Sequence, residues 1–236
     1  YGALIDAFRI RDRGMMRSTL VSYVLFAAML IALAAVFLWV PTEKEMGIIQ
    51  RIFYFHVPSA MSAFLAFFLV FIGSIQYLRT REEKWDRLAL SAAELGVMFG
   101  LIVLITGPLW AKPVWGVYWR WEPRLTSMLI TFTIYVAYLM VRDYGAQASQ
   151  APRLGAVMGI LAFANVPLVY YAVDLWSADQ QLHPPRNVGL EPTMEYAKWI
   201  CYATFFLLLF HLVAQRMELA RIESAVVRLR QKLDDA

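Results

Sequence analysis

Residues 110–121 hold four of the chain's eight tryptophans, Trp110, Trp115, Trp119 and Trp121. Gly116, Tyr118 and Arg120 are interleaved with them, and Glu122, Pro123 and Arg124 follow directly. One or two indole rings are ordinary at a membrane boundary. Four rings with fixed charges beside them make a shelf suited to a large flat ligand: the faces stack on the rings, and Arg120, Glu122 and Arg124 orient its polar edge. Two of the chain's three histidines add a second kind of chemistry. His56 lies in Arg51-Ile-Phe-Tyr-Phe-His56-Val-Pro58, and His183 in Gln180-Gln-Leu-His183-Pro-Pro185. Two imidazoles on opposite sides of a planar macrocycle make a six-coordinate haem iron site. The plainer reading of each, an interfacial histidine satisfied by a hydrogen bond, stays open on the residues alone. The choice depends on whether the chain brings both histidines and the tryptophans to one surface.

Composition decides what kind of element must position them. Of 236 residues, 60% are hydrophobic and only 17% charged, and the mean hydropathy is +0.53. Soluble domains carry about 25% charged residues, whereas a bilayer core demands about 20 consecutive apolar residues per helix. Six runs meet that demand, at 19–40, 58–78, 88–109, 125–141, 154–173 and 196–215. None alternates as barrel strands do. The expected fold is therefore all-α: a polytopic membrane protein, one six-helix domain over 1–236 with a tail at 216–236. The first run is too long for a signal peptide and lacks a small-residue cleavage site.

Six spans leave both termini on one side. That side carries 15 of the 22 Lys and Arg residues, in 1–18, 79–87, 142–153 and 216–232. The other side carries seven: Lys44, Arg51, Lys112, Arg120, Arg124, Arg186 and Lys198. The positive-inside bias puts the termini in the cytoplasm. The loops at 41–57, 110–124 and 174–195 then share the outer face, and with them His56, the tryptophan loop and His183. The net charge of +4 is explained by this bias, with no nucleic-acid partner needed.

Other chemistries are poorly served. The lone cysteine, Cys201, excludes an internal disulfide and cysteine-based metal clusters. Zinc sites want three or four ligands, and Glu43, Glu45, Asp179 and Glu191 have no ligand spacing. No nucleophile with its base, no phosphate loop and no paired acid–base carboxylates stand on the outer face, so a holding site is expected rather than an enzyme. His211 lies inside the sixth run and reads as a helix–helix hydrogen bond. Glu94, inside the third, reads either as functional or as paired with a neighbouring helix. Asn165 and Pro167 predict a kink and a polar interhelical contact in the fifth. Ile222, Val226, Leu229 and Leu233 predict an amphipathic helix continuing the sixth span, and residues 3–17 have similar basic, amphipathic character.

Five segments carry a resemblance: Arg51–Ala60, Ile105-Thr-Gly-Pro-Leu-Trp110-Ala-Lys-Pro113, Trp115–Thr126, Ala164-Asn165-Val-Pro167, and Leu182-His183 after Asp174-Leu-Trp176. Together with the six-span layout they cover most of 20–215, and the chain resembles the CcmC family, tryptophan-rich haem-handling membrane proteins of bacterial cytochrome c maturation. The resemblance implies a b-type haem at the outer leaflet of the inner membrane, facing the periplasm, with His56 and His183 as axial ligands. It implies delivery of that haem to the periplasmic chaperone CcmE, which takes it covalently on a histidine, beside the transporter subunits CcmA and CcmB and the small membrane protein CcmD. The expected haem-contacting set is His56, His183, Trp115, Gly116, Trp119, Trp121, Glu122, Arg124 and Arg51. One departure is Glu122, where the family usually has Asp; the longer carboxylate keeps the charge and shifts its reach. Three rivals remain. A covalent cytochrome c synthase of the same superfamily would resemble a longer chain with a large periplasmic domain, for which the loop at 174–195 is small. An electron-transfer cytochrome b subunit places its histidines within facing helices. A structural transporter subunit leaves the tryptophans without explanation.

Overall fold

The computed structural model describes residues 19–144, 150–175, 183 and 189–234. Seven α-helices account for nearly all of them. They are α1 (Thr19–Trp39), α2 (Phe53–Thr80), α3 (Glu83–Trp115), α4 (Pro123–Tyr144), α5 (Ala151–Phe163), α6 (Asn165–Leu175) and α7 (Pro192–Asp234). A 3-10 turn, Ile48–Ile52, leads into α2. The described residues contain no strand beyond a single bridge between Glu43 and Gly47. Six segments are long and apolar enough to cross a membrane, the fifth being α5 and α6 together. The chain is a multi-pass membrane protein, and its exposed apolar residues, such as Leu20, Phe26, Ile31 and Leu38 on α1, meet lipid rather than water.

The helices outrun the apolar stretches. The second begins at Phe53 rather than 58, and the third ends at Trp115 rather than 109. Residues 110–124 read as a loop, but α3 runs on through Pro108 and Pro113, which membrane helices tolerate when neighbours satisfy the freed carbonyls. The actual stop is Gly116, at φ 77°. Its N–H donates to Lys112 O at 2.9 Å, and the Lys112 ammonium returns to Gly116 O at 2.8 Å. A glycine in the left-handed region costs nothing sterically there. Pro123 opens α4 and Pro192 opens α7, where a missing N–H is harmless.

Packing centres on α2, which touches α3, α5 and α7. Phe67 of α2 stacks on Tyr135 of α4, centroids 3.8 Å apart and planes 9° from parallel. Gly96 of α3 makes room for it: a Cβ there would sit 2.4 Å from Phe67 Cε1. Small residues at helix contacts are the general means of close approach in a bilayer. Two ion pairs link helices of the bundle. Arg142 holds Asp86 through two bonds of 2.7 and 2.8 Å, and Arg216 holds Glu94 at 2.6 and 3.0 Å. Glu94 is thus paired with a neighbouring helix, as one of its two readings expected. His211 Nε2 lies 3.2 Å from Ser22 Oγ of α1, the expected helix–helix bond. The fifth span breaks at Ala164, and Asn165 Nδ2 donates to Ser127 O and Thr131 Oγ1 of α4 at 3.0 and 2.7 Å.

Along α3 the rise of about 1.5 Å per residue puts Thr106 about 30 Å from Asp86, the thickness of a hydrocarbon core. Trp110 and Trp115 lie beyond it. The helix α7 has 43 residues, about 65 Å, roughly twice what a bilayer needs. Its far end leaves Ile222, Val226, Leu229 and Leu233 exposed. The basic stretch at 3–17 lies outside the described residues.

Candidate functional site

The start of α2, the end of α3, the start of α4 and the start of α7 meet at one end of the bundle. The 3-10 turn Ile48–Ile52 packs on both α2 and α3. A core of Val36, Val40, Tyr54, Met194, Ala197 and Cys201 ties α1, α2 and α7 together beneath it. The connection that carries His183 leaves α6 and enters α7 at this same end.

His56 sits in the first turns of α2, one helical turn further in than the apolar pattern placed it. It is 8% exposed. Its Nδ1 lies 2.9 Å from Thr106 Oγ1 on α3, and that hydroxyl donates to Ile102 O at 2.7 Å. A Cβ on Gly107 would stand 3.4 Å from His56 Cε1, an ordinary van der Waals contact, so α3 lies close beside the ring there. The Trp110 ring meets the imidazole at 6.0 Å and 70°, nearly edge to face. With Nδ1 engaged, Nε2 is the nitrogen left for a ligand.

The tryptophans form a graded surface rather than one loop. Trp110 and Trp115 belong to α3; only Trp119 and Trp121 stand in the link between α3 and α4. Trp110 is 5% exposed and touches Phe53 at 6.2 Å and Trp115 at 6.4 Å. Trp119 and Trp121 meet at 5.7 Å and 77°, and Trp121 is 76% exposed. The indole nitrogens of Trp110 and Trp119 are buried without a hydrogen-bond partner, as is Nε of Arg51. Native structures rarely leave such donors unsatisfied, and each one asks for a missing partner.

Charges frame the rings. Glu122 is buried at the mouth of α4, where its carbonyl accepts from Thr126 N at 3.0 Å and its carboxylate lies at the favourable end of the helix dipole. Arg124 stands in the first turn of α4, two residues after Glu122. Arg51 lies over the Phe37 ring at 5.7 Å, and Lys112 over Tyr118 at 5.3 Å. A shallow depression of about 20 Å³, partly open to solvent, is lined by Trp115, Trp119, Arg120 and Glu122 among others. That is below the roughly 300–1,000 Å³ of an enclosing ligand pocket, so a macrocycle would lie across these residues rather than inside them.

The family model described as "Heme exporter protein C" matches residues 9–235. The chain belongs to the heme exporter protein C family. It is 33% identical to the heme exporter protein C of Bradyrhizobium diazoefficiens over 189 residues, covering 77% of this chain and 71% of the relative. It is 31% identical to that of Paracoccus denitrificans over 199 residues, covering 81% and 82%. A putative cytochrome c biosynthesis ccmC-like mitochondrial protein of Marchantia polymorpha is 31% identical over 177 residues, covering 72% and 74%.

Within this member of the heme exporter protein C family, the expected residues fall into two sets. His56, Trp115, Gly116, Trp119, Trp121, Glu122, Arg124 and Arg51 share the end of the bundle formed by α2, α3 and α4, and Trp110, outside the expected set, joins them there. His183 is half-buried in the α6–α7 connection, while Trp176, Leu182 and Arg186 lie outside the described residues. Sequence reasoning passed over Thr106 and Gly107. Both stood in the recognised Ile105–Pro113 segment, but a threonine and a glycine inside an apolar run signal helix packing. Only the fold shows that they face an imidazole.

Proposed function

We propose that this chain binds b-type haem at the outer end of the bundle and delivers it to the periplasmic haem chaperone CcmE during cytochrome c maturation. The observation that carries this reading is His56. It is a buried imidazole with Nε2 left over, beside an indole shelf whose Trp110 and Trp119 nitrogens have no protein partner. These residues fit a haem: a nitrogen ligand for iron, rings for the macrocycle, and Arg51 and Arg124 for the propionates. Membership of a family described as heme exporters agrees with it. Haem supplies the iron that the imidazoles hold and the vinyl edge that the chaperone's histidine takes.

The chain's own residues hold and orient. His56 and His183 would hold the haem iron. Trp115, Trp119 and Trp121 would offer their rings to the macrocycle, with the tight turn at Gly116 setting the link. Glu122 fixes the mouth of α4 from which Arg124 reaches. A surface site rather than a closed cavity leaves the ligand exchangeable, which delivery requires, and holding the vinyl edge outward is a proximity effect. No side chain is assigned a bond-making step. The Lys and Arg asymmetry supports termini in the cytoplasm and this face toward the periplasm, and the inner membrane is the compartment this reading requires. The transporter subunits CcmA and CcmB and the small protein CcmD are the expected companions.

The test is haem transfer in cells that lack their own copy of this protein and carry the chaperone. Covalently haem-loaded chaperone should accumulate with the wild-type chain and fall to background with a His56→Ala, His183→Ala double variant at equal membrane level. Equal loading by the double variant refutes the reading.

A further inference from the structure

We propose that Thr106 is a positioning residue for His56, whose hydroxyl fixes the imidazole as its Nδ1–H tautomer and leaves the Nε2 lone pair for iron. The inference rests on the haem role proposed for His56. A threonine hydroxyl has one hydrogen to donate and lone pairs to accept with. Thr106 Oγ1 lies 2.7 Å from the carbonyl oxygen of Ile102, which can only accept, so the hydrogen is committed there. Toward His56 the hydroxyl is an acceptor, and Nδ1 at 2.9 Å is the donor. A neutral imidazole protonated on Nδ1 carries its lone pair on Nε2, the form a metal takes.

Bonding back to the carbonyl four residues earlier is common for threonine in helices, and Thr133 does only that, on an exposed face. Thr106 differs because its remaining lone pair meets a buried imidazole from another helix. Neighbouring residues hold the ring against it: α3 passes close beside it at Gly107, where a Cβ would stand 3.4 Å from Cε1, and the Trp110 ring meets the imidazole nearly edge to face at 6.0 Å. The hydrogen bond on the far nitrogen of a ligand histidine sets its tautomer, its ring orientation and its basicity toward the metal.

Two measurements on the full chain in detergent test this. The first uses the haem-free protein with ¹⁵N-labelled histidine. There are three histidines, and His56→Ala identifies the signals of interest. His56 should show the Nδ1–H tautomer; an Nε2–H tautomer overturns the proposal whatever the variants do. The second uses haem-loaded protein. Thr106→Val and Thr106→Ala should each speed haem loss about 10–100-fold and raise the haem midpoint potential, because an imidazole without that hydrogen bond donates less well to ferric iron. Thr106→Ser should restore both. Haem loss and potential unchanged in the Val and Ala variants overturn the role of Thr106 alone, provided that His56→Ala loses the signal. If His56→Ala also keeps the parental spectrum, the haem role of His56 falls and the proposal falls with it.

Discussion

Exposure separates two kinds of tryptophan in this site, and the separation can be measured. Trp121 is 76% exposed, and its one aromatic contact among the described residues is the 5.7 Å meeting with Trp119. Trp110 is 5% exposed and packs on Phe53, His56 and Trp115. Stacking on one ring is worth roughly 0.5–1.5 kcal/mol. Trp121→Ala should therefore weaken haem retention about 2- to 13-fold and leave the folded protein as stable as before. The triple change of Trp115, Trp119 and Trp121 to Ala removes about 1.5–4.5 kcal/mol if the terms add. Because Trp119 and Trp121 touch, they share part of that energy, and a loss of about 10–100-fold is expected. Trp110→Ala is a different perturbation: it empties a buried site and costs about 3–5 kcal/mol of stability. The assay pairs haem dissociation from purified protein with thermal unfolding of the haem-free form. Wild-type retention by the triple variant would reduce the cluster to an interfacial belt. A Trp121→Ala variant as unstable as Trp110→Ala would contradict the packing from which these magnitudes follow.

Arg124→Lys and Arg124→Gln distinguish a propionate clamp from a headgroup anchor. A bidentate clamp is weakened by both, an anchor only by Gln, and haem affinity equal in all three proteins rules the clamp out. Gly96→Ala should destabilise the bundle by about 1–3 kcal/mol, since its Cβ would meet Phe67 at 2.4 Å and Phe67 is pinned on Tyr135. Unchanged thermal unfolding counts against that packing. Asp86→Asn should cost about 3 kcal/mol by leaving the Arg142 guanidinium, whose side chain is 8% exposed, without its carboxylate. A matching Arg142→Met change should recover part of it, and a double variant no more stable than Asp86→Asn shows that the two residues do not act as a pair.

The apolar runs were legible because hydrocarbon imposes a length and a composition on each span. Where the helices leave the hydrocarbon, that constraint ends, and their boundaries stop being readable. Residues 110–115 look like a loop because they hold tryptophans, Lys112 and Pro113, yet α3 continues to the glycine that can turn it at φ 77°. Polar residues inside spans announced that they had partners but not which. Glu94 is answered by Arg216, 122 positions away, a residue that the sequence offers only as one more cytoplasmic charge. Asn165 was readable as an interhelical contact, although Ser127 and Thr131 as its acceptors were not. Thr106 was silent because its bond to Ile102 is what any helical threonine does. Its second role exists only once α2 and α3 are side by side.

The most direct test of haem ligation is the absorption spectrum of the purified, haem-loaded protein with and without His56 and His183. His56→Ala and His183→Ala should each weaken retention, and the double variant should lose the six-coordinate low-spin spectrum. A double variant that keeps that spectrum unchanged contradicts the account, because the iron would then be held by residues other than the two proposed.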